Sequence, residues 1–442
     1  MEEFEKIDTK INFSSAAFKK YFNNTSWLFF EKIIRVVLGA FVIISITNYL
    51  GPKNFGIYSY VLSFTGLFTA IATLGLDSIL LRELVKKPDL RNDLLGSSFI
   101  LKLVGAIFSI LLLAIAIIFT SHTSLTNLLI FIIAATPIFQ TLNIIDFFFQ
   151  SKVQSKNSVI VQSTSFIITS IIKLLLIYFE ASLISFVIFT TFEYLFLAIG
   201  YIVMYKSKSL KIFSWRFNKN IAKTLLIDSW PLMLSGIVIT IYMKIDQVMI
   251  KQMLNDSEVG FYASAVRLCE AWYFLPMIIT TSLFPAIIYA KKVSENLYKN
   301  RMQKLYDLLA WSSIGIAVIT TFLAKDVILI LYSPEFTPAV SVLIIYIWAG
   351  VAVFLGVANS QYLIAENFTK ISFYKTFLGM IINVILNLIL IPFYGITGAA
   401  VATLVSYSAA TFSIFFTKAT REQSLMMFKA ILFVDIFTRL RK

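Results

Sequence analysis

The sequence predicts an all-α polytopic membrane protein, with twelve transmembrane helices in two six-helix lobes related by a pseudo-two-fold axis along the membrane normal. Hydrophobic residues make up 58% of the 442 residues and charged residues only 14%, with a mean hydropathy of +0.83. Soluble domains are nearer about 45–50% apolar and about 25% charged. Long apolar runs with short basic connections, and a motif that recurs halfway along the chain, predict the number and grouping of the helices.

Apolar runs long enough to cross a bilayer core of about 30 Å as helices occur along the whole chain. We predict spans near 27–49, 56–79, 95–119, 125–148, 158–179, 182–205, 225–251, 259–289, 308–332, 339–364, 371–392 and 395–417. The connections between these spans are short, as expected of helices that cross the membrane in alternating directions.

The distribution of basic residues predicts the orientation. Lys and Arg are frequent in the N-terminal arm, in alternate connections starting with the one between spans 2 and 3, and in the C-terminal tail. The other connections hold only Lys53, with Lys251 and Lys325 near helix ends. By the positive-inside rule, both termini are therefore expected in the cytoplasm. The leading residues are too acidic and the first apolar run is too long for a cleaved signal peptide.

A weak internal repeat predicts two halves. Trp27 precedes FGIYSY and Trp230 precedes VGFYAS at nearly the same distance, so Gly56 and Gly260 each open a helix within a Gly-x-Tyr motif. Six helices per half give both halves the same orientation, as in parallel repeats. We predict an N-terminal lobe over 1–210, a basic cytoplasmic linker over 211–224, a C-terminal lobe over 225–417 and a basic cytoplasmic tail over 418–442 that can form an interfacial amphipathic helix.

Ten ionisable residues lie well inside the predicted spans. Each would cost about 2.5–3.5 kcal/mol if it faced lipid near the bilayer centre, so most of them must face a cleft or one another. Because the cations stand at different depths on five helices, we predict a cationic site for an anionic substrate: Arg35, Lys102, Lys173, Lys244 and Arg267. The acidic residues are predicted to couple transport to an ion or to pair with these cations: Glu31, Glu193, Asp246, Glu270 and Asp146.

The same charges also allow a purely structural interpretation. Two pairs are close enough along a helix to neutralise each other, namely Glu31 with Arg35 and Arg267 with Glu270. Lys102 and Asp146 lie near cytoplasmic ends of spans and can extend to the interface. Asn383 and Asn387, four residues apart, are expected to form interhelical hydrogen bonds rather than to contact substrate.

Several other classes of function are disfavoured. The basic residues sit in short loops rather than in one patch, so no nucleic-acid partner is expected. Cys269 is the only cysteine and His122 the only histidine, so neither an internal disulfide, nor a histidine-based metal site, nor a catalytic triad is expected. No connection is long enough for a soluble catalytic domain and no acidic metal motif appears, which argues against an enzyme such as a polysaccharide polymerase or a glycosyltransferase.

Motifs in both halves carry a family resemblance. They are Trp27, YLGPKNFGIYSY at 49–60, LGLDSILLRE at 74–83, SWPLMLS at 229–235, KIDQVMI at 244–250, VGFYASAVRLCEAWYFLP at 259–276, SLFPAII at 282–288 and NVILNLILIPFYGITGAAVAT at 383–403. In these motifs the sequence resembles the polysaccharide-transport family of lipid-linked oligosaccharide flippases, which includes the O-antigen flippases. That family belongs to the superfamily that also holds multidrug-and-toxin exporters and lipid II flippases.

The resemblance implies two lobes around a central cavity that work by alternating access, as in the multidrug exporters. The implied passenger is an undecaprenyl-diphosphate-linked oligosaccharide, moved to the outer leaflet of a bacterial inner membrane with coupling to H+ or Na+ and without a cofactor. Carried onto this chain, Arg267 becomes a diphosphate contact and Asp246 an ion or structural partner. A monomer among membrane lipids is expected, with a polysaccharide polymerase and chain-length machinery as protein partners.

A multidrug or metabolite exporter of the same superfamily is the main alternative. A site for cationic drugs is expected to be acidic and aromatic. This chain instead places five cations against five anions within its spans, with the cations on separate helices. That balance favours an anionic passenger over a cationic drug.

Overall fold

The computed structural model describes the backbone of residues 16–120 and 122–433 and the side chains of residues 35–120, 122–284 and 286–433. The regular elements of that part of the chain are helices, which confirms the predicted all-α class. The α-helices are α1 Ala16–Thr73, α2 Leu76–Lys86, α3 Arg91–Ile118, α4 Ser124–Ala134, α5 Thr136–Gln140, α6 Ile144–Ser151, α7 Ser155–Tyr178, α8 Leu183–Ser207, α9 Lys219–Met253, α10 Asp256–Glu270, α11 Phe274–Val293, α12 Glu295–Leu331, α13 Ala339–Ala365, α14 Thr369–Phe412 and α15 Arg421–Ile431.

The count of spans agrees with twelve once two bent helices are divided. Ten helical stretches of the described chain are long and apolar enough to cross a membrane. Two of them, Arg35–Lys86 and Thr369–Phe416, are long enough for two spans each. Each contains a glycine with a positive φ, 67° at Gly51 and 57° at Gly395. Residues other than glycine rarely adopt this backbone conformation. The chain bends at these two glycines, and each bend separates one span from the next.

The described chain packs as two compact units. The first comprises the residues up to Val42, Ile71–Ile115 and Phe131–Met233, and the second comprises Ile43–Ala70, Ala116–Ile130 and the residues from Leu234 onwards. These units differ from the lobes expected from the repeat, because parts of the first six helices pack with the second half of the chain. The lobe boundaries 1–210, 211–224 and 225–417 therefore remain a prediction about the repeat.

Each unit has its own apolar core. In the first, Leu80 and Phe149 lie in a buried cluster that also includes Tyr205. Trp215, in the basic linker, donates a hydrogen bond from its Nε1 to the Tyr205 hydroxyl at 3.2 Å, which fastens the linker to this core. The core of the second unit contains buried residues of α11, α12, α13 and α15, and Leu309 is one of them.

The C-terminal tail contains the helix that the sequence predicts. On α15, Met427 is buried in the core of the second unit. Gln303 Nε2 donates to the Met426 carbonyl at 3.0 Å, and Trp311 Nε1 donates to the Ala430 carbonyl at 3.1 Å. One side of α15 therefore faces protein, while contact of its other side with lipid stays a prediction. The last nine residues of the chain lie outside the described part.

The two glycines of the sequence repeat lie in the second unit, at the point where α1 and α10 cross. A Cβ added to Gly56 would lie 1.7 Å from the Asp256 carbonyl oxygen, and one added to Gly260 would lie 2.0 Å from the Pro52 carbonyl oxygen. The backbone of α10 therefore touches the part of α1 that follows the bend, at a distance only glycine permits. Each glycine makes room for the backbone of the other helix.

Candidate functional site

A buried carboxylate lies between α9, α10 and α14 in the second unit. Asp246 is 5% exposed and accepts hydrogen bonds from Asn387 Nδ2 at 2.6 Å, Thr403 Oγ1 at 2.6 Å and the Tyr262 hydroxyl at 2.7 Å. Among the described residues no Lys or Arg forms an ion pair with it. The neutral donors replace water around the carboxylate but leave its charge uncompensated.

Helix spacing brings these groups together. Asn383 and Asn387 lie one turn apart on α14, and the bend at Gly395 returns the rest of α14 so that Thr403 also reaches Asp246. Asn387 Nδ2 also donates to Asn383 Oδ1 at 3.2 Å, and Asn387 Oδ1 is buried without a hydrogen-bond partner in the described chain. The expected interhelical hydrogen bonds of the asparagines are therefore formed. The cluster gathers carboxylate, amide and hydroxyl oxygens, the ligand type that hard cations prefer.

A cavity of about 400 Å³ lies one helical turn from this cluster. Tyr242 precedes Asp246 by four residues and Tyr407 follows Thr403 by four, and the two tyrosine ring centres lie 4.5 Å apart. Both rings line the cavity, and they lie one helical turn from Asp246 on α9 and from Thr403 on α14. The other walls are mostly apolar and come from α9, α11, α13 and α14; they include Ile239, Met243, Met277, Thr280, Val353 and Lys375.

Among the described residues that line the cavity, Lys375 is the one that carries a full charge. It is 8% exposed, and its Nζ donates a hydrogen bond to Ser360 Oγ at 2.9 Å. No carboxylate of the described chain forms an ion pair with it. Lys375 is absent from the predicted site because it stands near the start of a span, where a lysine is ordinary. The signal for it was its spacing of eight residues from Asn383, which puts both on one face of α14.

A second polar cluster in the second unit surrounds the only histidine. His122 Nε2 and the Tyr60 hydroxyl lie 2.5 Å apart, and Gln252 Nε2 donates to the same hydroxyl at 3.2 Å. Burial lowers the pKa of His122 below its usual value, and the nearby Lys251 adds to this effect, although Asn127 opposes it. A neutral imidazole therefore joins stretches of the chain that are distant in sequence.

The comparison of sequences identifies the family. Residues 21–291 match the family described as "Polysaccharide biosynthesis protein", which is more than half of the chain. The chain belongs to this family. Asp246 and Arg267 fall within the matched range of this family member, whereas Lys375 and the asparagines of α14 follow it.

Two curated relatives of this family member come from the archaeon Haloferax volcanii. "Probable low-salt glycan biosynthesis flippase Agl15" is 29% identical over 177 residues, which cover 38% of this chain and 36% of that protein. "Probable flippase AglR" is 27% identical over 252 residues, which cover 54% of this chain and 50% of that protein. The chain thus spans no more than half the length of these relatives.

Solved structures share the fold over nearly the whole chain. One is the inward-facing conformation of a multidrug resistance MATE family transporter, with a TM-score of 0.69, 14% identity, and coverage of 88% of this chain and 95% of the transporter. Another is the lipid II flippase MurJ in an inward closed conformation, with a TM-score of 0.67, 19% identity, and coverage of 94% and 93%. The fold expected from the resemblance is confirmed.

In the first unit, ion pairs are described for Lys173 and Lys102, which both belong to the predicted substrate cations. Lys173 Nζ is 2.7 Å from Glu193 Oε2, so a predicted substrate residue and a predicted coupling residue neutralise each other. Lys102 pairs with Asp77, an acidic residue within a span that the predicted set omits. These positions fit the structural interpretation, and any role in transport stays a prediction.

Aromatic and amide contacts are described for two other predicted residues of the first unit. The Arg35 guanidinium lies 5.3 Å from the centre of the Phe166 ring. Asp146 Oδ2 accepts a hydrogen bond from Gln162 Nε2 at 3.3 Å. The side chain of Glu31 lies outside the described part of the chain. Its pairing with Arg35 therefore stays a prediction.

The remaining predicted residues belong to the second unit. The Arg267 guanidinium lies 5.6 Å from the centre of the Phe55 ring, and Lys244 is half-buried. Glu270 Oε1 is buried without a hydrogen-bond partner in the described chain, and the possible pair of Arg267 with Glu270 is not formed there. The structure therefore groups Asp246 with neutral partners and keeps Arg267 apart from it as a cation beside an aromatic ring.

Proposed function

We propose that this protein is a flippase that moves an undecaprenyl-diphosphate-linked oligosaccharide from the cytoplasmic to the outer leaflet of a bacterial inner membrane by ion-coupled alternating access. The family match, the flippases among its relatives and the fold shared with a lipid II flippase support a lipid-linked glycan as passenger. A monomer with both termini in the cytoplasm, working beside a polysaccharide polymerase and chain-length machinery, completes the proposal. The observation that carries the mechanism is Asp246, buried among neutral donors.

The coupling ion, Na+ or H+, binds at the Asp246 cluster in this proposal. A carboxylate buried without a counter-charge is costly, so a cation that reaches it gains a large part of its binding free energy from that charge. Because Asp246, Tyr262 and Thr403 lie on three different helices, ion binding changes how these helices are held together. A ligand that favours one arrangement of the helices shifts the equilibrium toward it, as alternating access requires.

In this proposal the diphosphate of the passenger contacts cations that form no ion pair with a carboxylate of the described chain. Lys244 and Arg267 fit this role better than Lys102 and Lys173, whose charges are balanced by acidic partners. A guanidinium binds phosphate oxygens bidentately, whereas an ammonium acts as a point charge. Two or more modest contacts allow capture on one side of the membrane and release on the other.

The hydrogen bonds around His122 and the crossing of Gly56 with Gly260 form the outer gate in this proposal. Both join the first third of the chain to residues beyond 250, and the positive-inside rule predicts that they lie on the outer side. Opening toward the outer leaflet requires these contacts to separate. His122, Tyr60 and Gln252 are joined by hydrogen bonds and not by ion pairs. When they separate, water can replace these hydrogen bonds at a modest cost in free energy.

Complementation of a strain that lacks its lipid-linked oligosaccharide flippase tests the proposal. The wild-type chain is expected to restore surface glycan, and Asp246→Asn to lower it at least tenfold at an equal amount of protein in the membrane. Asp326→Asn, which changes an exposed aspartate, is the matched control and should restore glycan fully. Drug resistance without restored glycan would instead assign the chain to the exporters. Normal glycan with Asp246→Asn would contradict the coupling site.

A further inference from the structure

The cavity beside Tyr242 and Tyr407 has the size and composition of a ligand site. Its volume of about 400 Å³ falls within the range of about 300–1,000 Å³ typical of small-molecule pockets. Such pockets are mostly apolar and contain a few polar groups that fix the orientation of the ligand. The walls of this cavity follow that pattern, because one charged residue stands among methionine, aliphatic and aromatic side chains.

The charge in the cavity lacks an internal counter-charge. Lys375 carries three N–H donors, and one of them is used by Ser360 Oγ at 2.9 Å. Ser360 Oγ itself donates to the Gly356 carbonyl, so it offers the ammonium a neutral oxygen and no negative charge. Neither Asp246 nor Glu270 lines the cavity. A buried ammonium in this setting is stabilised by an anion that enters from outside.

A second donor in the same cavity also lacks a partner. Thr280 is fully buried, lines the cavity, and its Oγ1 has no hydrogen-bond partner among the described residues. A hydroxyl and an ammonium on the wall of one cavity suit an oxyanion with several acceptor oxygens, such as a phosphate group. The two donors lie on different helices, α11 and α14.

The rest of the cavity suits an apolar chain attached to that anion. Ile239, Met243 and Met277 line it and are 45%, 38% and 48% exposed, so they mark its open side. Methionine side chains adapt readily to irregular apolar ligands. A free phosphate ion would use the donors and leave this surface without a partner.

We infer that this cavity binds an amphiphile with a phosphate head group, the phosphate against Lys375 and Thr280 and the chain leaving past Met243 and Met277. A membrane phospholipid and a polyprenyl phosphate share this chemistry. The site is distinct from the Asp246 cluster, because neither Asp246 nor its hydrogen-bond donors line the cavity. Binding is measured on the purified protein without transport, so a failure here leaves the flippase proposal standing, and the reverse also holds.

Binding of short-chain probes to the purified full-length protein in detergent tests this site. Farnesyl phosphate and dihexanoyl phosphatidic acid represent the two sources, and farnesol and inorganic phosphate represent the chain and the head group alone. We expect at least one of the two phosphate amphiphiles to bind the wild-type protein at least tenfold more tightly than farnesol or inorganic phosphate. The tighter of the two identifies the source. Equal binding of farnesol, or of inorganic phosphate, would overturn the inference.

Variants locate the binding in the cavity. Lys375→Gln is expected to weaken the tighter phosphate amphiphile at least tenfold, because it removes the charge, and Thr280→Val to weaken it several-fold. Lys370→Gln, which removes an exposed lysine near the start of the same helix, should leave the affinity unchanged. If Lys375→Gln does not fold, Thr280→Val alone decides, and unchanged affinity in the folded variants would overturn the inference.

Discussion

In the first unit Lys102 lies against Asp77 and Lys173 against Glu193, whereas in the second unit three neutral donors hold Asp246 and a serine hydroxyl holds Lys375. Both units bury charge in helices that are apolar enough to span a membrane. The first unit balances each of these charges with an opposite one. The second satisfies hydrogen bonds while leaving the charges themselves uncompensated.

The difference separates charges that stabilise the fold from charges that can bind something. A paired cation loses its carboxylate partner when it contacts an anionic substrate, so the exchange contributes little binding free energy. An uncompensated charge gains the full interaction with an incoming ion of opposite sign. Stability is commonly lowered where a residue is kept for function, and the two uncompensated charges of the second unit are the positions where we expect this.

The largest effect is expected from breaking a pair in the first unit. Asp77→Asn should lower the free energy of unfolding by about 3 kcal/mol, because it leaves Lys102, whose side chain is 5% exposed, charged and without its partner. The double variant Asp77→Asn/Lys102→Met should recover most of that loss. Unfolding in mixed micelles measures both. Equal instability of the single and double variants would contradict the assignment of the pair.

A smaller loss is expected from removing one donor to Asp246. Thr403→Val keeps the shape of the side chain but removes a hydrogen bond of 2.6 Å to a carboxylate, which is worth about 1.5–3 kcal/mol. Thr397→Val on the same helix is the control, since the Thr397 hydroxyl faces only Ser341 Oγ at 3.3 Å. The same unfolding measurement applies. If both valine variants lower the free energy of unfolding by the same amount, the hydrogen bond to Asp246 contributes no more to stability than the one to Ser341.

The smallest expected effect has the opposite sign. Lys375→Met should raise the free energy of unfolding by about 1 kcal/mol, because it replaces an uncompensated buried charge with an apolar side chain of similar length. Lys173→Met in the first unit should lower stability, since Glu193 then lacks its partner. If both variants lower the free energy of unfolding, the proposed difference between paired charges in the first unit and uncompensated charges in the second is wrong.

Hydropathy, glycine positions and loop charges predict a large part of the fold. The runs of apolar residues predict twelve spans, and the bend at Gly51 lies in the connection predicted between the first two of them. The spacing of Asn383 and Asn387 predicts hydrogen bonds to other spans, which the structure forms with Asp246 and with Ser406 beyond the bend. These features depend on the local free energy of transfer of each segment and on which residues one helix places on one face.

Only the tertiary structure determines which side chain neutralises or hydrogen-bonds each buried charged residue. Nothing in the sequence pairs Lys102 with Asp77, or gives Asp246 three neutral donors from two other segments, because a side chain's partner depends on which helices pack together and on their rotation about their own axes. The repeat in the sequence marks Gly56 and Gly260, but only packing brings the two helices into contact at these glycines. Insertion into a membrane is a property of each segment, whereas compensation of a buried charge is a property of the folded chain.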